Sequence, residues 1–150
     1  MKLIVSILIA IFLFFSFTEQ KDKTTDKMNL IFVYKANSDP ISVSLDFIHK
    51  IASPQTYSCN LCKITYGNFA MKDKWRSYID SIDFPVIFLY EDNINNEPEI
   101  IKDSPKPSAF IKRNGTVIEF LNKEDINACD NLDELIKLIE HKLQLYARTS

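Results

Sequence analysis

The sequence predicts an α/β fold: a mixed central sheet with helices on both faces. Three observations carry this. Short apolar runs rich in β-branched and aromatic residues, Leu30–Tyr34 and Phe84–Tyr90, alternate with stretches of helical period. Strands that alternate with helices call for parallel pairing through right-handed crossovers. Further on, Ala109–Arg113 and Thr116–Phe120 flank Asn114-Gly115, the preferred pair for a two-residue hairpin turn, and a final helix follows.

Composition sets the outer bounds. The chain has 150 residues, about one domain, and residues 1–27 separate from the rest by composition. Hydrophobic content of 46% and aromatic content of 12%, with eleven Phe and six Tyr, suit a packed core. A formal charge of −2 and a pI near 5.7 give no electrostatic footprint for nucleic acid. Only two glycines are present, and neither G-x-x-x-x-G-K-[ST] nor G-x-G-x-x-G occurs. Nucleotide binding by either of those glycine-rich loops is excluded, because backbone N–H groups could not cradle the phosphates. No cofactor is indicated.

The elements follow in order. Met1-Lys2 precedes an apolar run from Leu3 to Phe17, broken only by Ser6 and Ser16. Residues 1–18 read as a signal peptide, or as an N-terminal membrane anchor if uncleaved, and predict an exported domain, periplasmic or tethered to the membrane. Residues 19–27 are polar, charged and without period, which marks a solvated linker. The domain spans 28–150. Leu30–Tyr34 predicts a central strand buried on both faces. Asp39-Pro40 predicts a helix start, and Ile41, Leu45, Ile48 and Ala52 recur at helical spacing, with His49 beside the stripe. After the cysteine segment, Asn68 is placed to cap a helix that buries Met71, Trp75, Tyr78, Ile79 and Ile82. Phe84–Tyr90 predicts a second buried strand, with Pro85 at its start where proline is tolerated. Glu91–Pro107 reads as a long surface loop carrying a short strand at Ile100-Ile101. After the hairpin, Asn131 and Glu134 predict a capping box, and Leu132, Leu135, Ile136, Ile139 and Leu143 the buried stripe of the last helix.

Chemistry concentrates in Tyr57-Ser58-Cys59-Asn60-Leu61-Cys62-Lys63-Ile64-Thr65-Tyr66-Gly67. Two thiols separated by two residues close a small disulfide, exchange it with another protein, or supply half of a metal site. Four readings stand open. One is thiol–disulfide exchange with a protein partner, Cys59 attacking and Cys62 resolving. Another is a structural disulfide that pins the loop. A third is a metal site completed by Cys129, His49 or His141, for which no second Cys-x-x-Cys or paired His is present. The last is a pair of small buried side chains without chemistry. Exchange requires an exposed sulfur pair beside a proline-led strand edge. Lys63-Ile64-Thr65-Tyr66-Gly67 is β-favouring and short, so the segment reads as a strand as readily as a helix. No Ser/His/Asp or paired-carboxylate constellation accompanies it.

The order of elements, with Pro107-Ser108-Ala109-Phe110-Ile111-Lys112-Arg113-Asn114-Gly115 and the cysteine pair, resembles the thioredoxin fold over roughly Leu30 to Leu145. The resemblance implies a three-layer sandwich with a C-terminal β-hairpin and helix. It also implies a cis proline, at Pro107 or else at Pro85, facing an active-site disulfide of Cys59 and Cys62. The sequence departs from that family where a helix's length of chain separates the first strand from the cysteines, and where Ser58 replaces the usual tryptophan. The segment is similar as well to a group of small bacterial proteins of unassigned role that carry Tyr-x-Cys-Asn-Leu-Cys followed by Thr-Tyr-Gly.

Overall fold

The computed structural model describes residues 27–38, 59–68 and 70–149. The expected leader or anchor, most of the linker, and the helix from Pro40 to Ala52 with His49 lie outside the described residues. The α/β class holds. Strands β1 (Met28–Tyr34), β2 (Val86–Tyr90), β3 (Ser108–Arg113) and β4 (Thr116–Leu121) form one sheet in the order β2-β1-β3-β4. β1 pairs parallel with β2 and antiparallel with β3, and β3 pairs antiparallel with β4.

The parallel register has a sequence counterpart. Ile31-Phe32-Val33-Tyr34 lies opposite Ile87-Phe88-Leu89-Tyr90, like beside like at three of four positions. Alternation along β1 then divides the core in two. Leu30, Phe32 and Tyr34 join Ala109, Ile111 and the larger cluster, while Ile31 and Val33 join Leu89 and Phe110 on the other face. β1 is thus buried on both sides, as its composition predicts. β2 is not: only Leu89 is buried, and Ile87 is exposed. Among the described residues it has a neighbour on one side only, β1. Pro85 sits exposed at its foot, its carbonyl accepting the Leu30 N–H at 3.0 Å.

Asn114 and Gly115 join β3 to β4 with φ of 51° and 84°, the left-handed pair that the right-handed twist of two antiparallel strands requires. A bulge sets Leu121 opposite Ala109 but Glu119 opposite Phe110. The extra residue lets consecutive Phe120 and Leu121 enter the same buried cluster, which regular pleating forbids.

Five helices are described: α1 (Asn60–Thr65), α2 (Asp73–Asp80), α3 (Glu99–Lys102), α4 (Lys123–Asn127) and α5 (Leu132–Thr149). α1, α2, α4 and α5 contribute Leu61, Ile64, Trp75, Ile126, Leu132, Leu135 and Ile139 to the larger cluster. α3 contributes Ile101 to the smaller one. α3 replaces the short strand expected at Ile100-Ile101. Pro98 at its N-cap, Glu99 in its first turn and Lys102 in its last suit a single helical turn. In that turn only one isoleucine reaches the sheet, and Ile100 is left exposed.

α2 begins at Asp73, so Asn68 does not cap it. The chain before it is held instead by a Tyr66–Met71 bridge and by the Gly67 N–H on the Ala70 carbonyl at 2.8 Å. Its buried face is as expected, with Trp75 fully enclosed. α5 is also as expected along its stripe. Asn131 and Glu134 cap it in a variant manner: Asn131 Oδ1 accepts the Glu134 N–H, while Glu134 accepts from the Asn131 amide and the Asp130 N–H. α4 was not foreseen, although Asn122 and Asp125 form a full capping box at its start.

Candidate redox site

Cys59 is the N-cap of α1, and its sulfur accepts the Cys62 N–H at 3.2 Å. The two cysteines are bridged, with S–S 2.00 Å and Cα–Cα 5.3 Å. The segment is helical through Thr65 rather than a strand. Local hydrogen bonds outweigh its β propensity. The Thr65 hydroxyl bonds the Leu61 carbonyl at 2.6 Å and meets the Tyr34 hydroxyl at 3.1 Å. The Lys72 ammonium bonds the Ile64 carbonyl at 2.8 Å, satisfying an oxygen that the helix end leaves without a partner.

Exposure of the pair was the expectation, and the structure corrects it. Cys59 is 1% exposed and Cys62 7%, both within the larger cluster. The short turn packs Leu61 and Ile64 into the core and takes both sulfurs with them. Of the two, Cys62 keeps the larger accessible fraction. Lys63 is exposed beside them.

Asn60, between the cysteines, fixes the turn to the next part of the molecule. Its Nδ2 donates to the carbonyls of Ile126 and Cys129, both at 2.9 Å. Ile126 lies in α4 and Cys129 just after it, in the stretch between β4 and α5. Pro107 is two residues before Ala109, buried, and follows a cis Lys106–Pro107 bond. Pro107 precedes Ser108, which pairs with Val33 next to Tyr34, and Thr65 at the end of α1 also meets Tyr34; Ala109 shares the cysteines' cluster. Pro85 lies at the other end of β1, its carbonyl accepting the Leu30 N–H. Approaching Pro107, Lys106 Nζ bonds the carbonyls of Lys102 at 2.6 Å and Ser104 at 3.0 Å.

The third cysteine, Cys129, is a buried free thiol in the same cluster. Its sulfur reaches the Asp125 carbonyl at 3.5 Å. Burial pushes the thiol pKa up, and Glu134, Asp125 and Asp130 add to the effect. Among the described residues no three His, Cys, Asp or Glu side chains converge as metal ligands. His141 is exposed on α5.

A tyrosine group that sequence reasoning did not single out adjoins α1. Tyr34 stacks on Tyr90 with ring centres 5.5 Å apart and meets Tyr66 edge-on at 5.7 Å. The Tyr66 and Tyr90 hydroxyls lie 3.2 Å apart. Burial holds the Tyr34 and Tyr66 phenols well above their ordinary range. The matching Tyr ends of β1 and β2 were the available signal. The described groove of about 520 Å³ is elsewhere, lined by Met28, Phe84, Arg113, Leu143 and Tyr146 near the start of β1.

Comparison with protein-family models, with curated proteins and with solved structures finds no match to this chain. Among the described residues no helix is long and apolar enough to cross a membrane.

Proposed function

We propose that the chain is a thioredoxin-like module, exported or tethered by its N-terminal segment, that exchanges disulfides with a protein partner. The observation carrying this reading is the placement of Cys59 as N-cap, with the Cys62 N–H directed at its sulfur. A hydrogen bond to the sulfur favours its charged form, and burial of that sulfur opposes it. The strand order β2-β1-β3-β4, with β1 and β2 parallel and β3 antiparallel to its neighbours, supports the thioredoxin-like part of the reading. In the exchange, the Cys59 thiolate attacks a partner disulfide and expels one partner thiolate. Cys62 then loses its proton and displaces the second partner sulfur, leaving Cys59–Cys62 bridged and the partner reduced. Pro107 shapes the strand edge at which the partner lies. The exposure that exchange requires is not met in the resting fold, where both sulfurs are buried, so this reading requires the turn to open before the first attack.

The same burial favours a second reading, a structural bridge in a non-enzymatic binding module. Equilibration of the full chain with glutathione buffers separates the two. A midpoint between about −120 and −270 mV, where exchange proteins lie, supports exchange, and one below about −300 mV supports the structural bridge. Under the exchange reading, Cys59→Ser also abolishes reduction of insulin.

A further inference from the structure

The cysteine pair and Cys129 occupy one buried cluster, and α1 packs against α4, the helix that leads to Cys129. The side chain between the paired cysteines fastens Cys129 in place. Asn60 spends its amide on the Ile126 and Cys129 carbonyls, so the backbone of Cys129 and the turn carrying the bridge move as one body. Among the described residues the Cys129 sulfur makes one hydrogen bond, a long one to the carbonyl of Asp125.

We propose that Cys129 is the third thiol of this site and takes over the bridge by attacking Cys59. The Cys129 thiol loses its proton and its sulfur bonds to Cys59 Sγ. The Cys59–Cys62 bond breaks, and Cys62 leaves as a thiolate that takes up a proton. One disulfide is made and one is lost, so no oxidant or reductant is consumed. The product carries a Cys59–Cys129 bridge from α1 to the start of α5 and frees the more accessible Cys62. The exchange converts a short-range link into one spanning two elements, and it presents a thiol that the resting state ties up. This inference needs the Cys59–Cys62 bridge but not turnover on a partner.

The test is disulfide mapping by mass spectrometry of unreduced digests. Full-length Cys62→Ser, oxidised with diamide under native conditions, is expected to yield an intramolecular Cys59–Cys129 link in most molecules. A free Cys129 alongside intermolecular Cys59–Cys59 dimers would overturn the proposal. Adding Asn60→Ala to that variant is expected to lower the effective concentration of Cys129 at Cys59 about tenfold, read against glutathione as competitor, as loss of its hydrogen bonds implies. An unchanged value would overturn the clamp. Should Cys62→Ser not fold, the wild-type chain decides. Held with limiting dithiothreitol and quenched in acid, it is expected to show the Cys59–Cys129 peptide pair, and its absence overturns the proposal. The glutathione midpoint of Cys129→Ser reports on Cys59–Cys62 alone, so failure here and failure of the exchange reading are distinguishable.

Discussion

Both amide protons of Asn60 go to carbonyls of a different element. Asn60→Ala takes away the Cys129 carbonyl's amide donor, while the Ile126 carbonyl keeps the Cys129 N–H at 3.2 Å, and unfolding in urea is expected to show a loss of about 1–2 kcal/mol. Asn60→Asp should be no better, since a carboxylate has no proton to donate. Tyr34 gives a prediction with a pH axis. Burial raises its pKa in the native state, so the folded chain holds the phenolic proton more tightly than the unfolded chain does. Its contribution to stability is therefore complete below about pH 10, the unfolded phenol value, and is lost as pH rises above it. Unfolding free energy should fall more steeply with alkali in the wild type than in Tyr34→Phe. Tyr66 and Tyr78, the latter pushed up to about 12 by burial and by Glu140, supply the remaining slope. Neither Asn60 nor Tyr34 announced itself in the sequence. Their partners are distant along the chain, and local pattern carries no record of a long-range hydrogen bond.

At the scale of elements, the cysteine turn and the Asn114-Gly115 turn behave differently. Reduction of Cys59–Cys62 opens a very small loop, so the chain-entropy contribution it removes is at most about 2 kcal/mol. Comparing urea midpoints with and without dithiothreitol checks this. Gly115 sits at φ 84° with nothing within 4 Å of an added Cβ, so Gly115→Ala meets backbone strain alone. A loss of about 1 kcal/mol is expected in the same assay. The elements that the sequence made legible were those with a strong local code: β1 by composition, the Asn-Gly turn by its φ demands, and α5 by its stripe. Those it concealed lacked one. α1 has β-favouring residues and is made helical by the Thr65 and Lys72 hydrogen bonds. β2 has the composition of a central strand but among the described residues pairs only with β1, a matter of strand order that no single run of residues encodes.

Across the whole molecule, the α/β class followed from the alternation of runs, and the division of the core into two clusters follows from the pleat of β1. The burial of the cysteines did not follow. It depends on Leu61 and Ile64 turning inward with α1, a tertiary choice that the Cys-x-x-Cys spacing leaves free. The larger cluster has its bulkiest member in Trp75, set edge-on to Phe32 at 5.3 Å and stacked on Tyr78 at 5.8 Å. Trp75→Ala should cost about 3–5 kcal/mol, a large share of a typical domain's stability, and lower the urea midpoint read by circular dichroism accordingly.

That indole is also the chain's single tryptophan. Fully enclosed where α2 meets the sheet, it gives the protein an intrinsic lamp whose blue-shifted fluorescence reports one point of the interior with no background from others. Emission that reddens along with far-UV ellipticity would mark a cooperative melt, whereas emission that holds steady while the cysteines change partners would place that rearrangement outside the indole's surroundings.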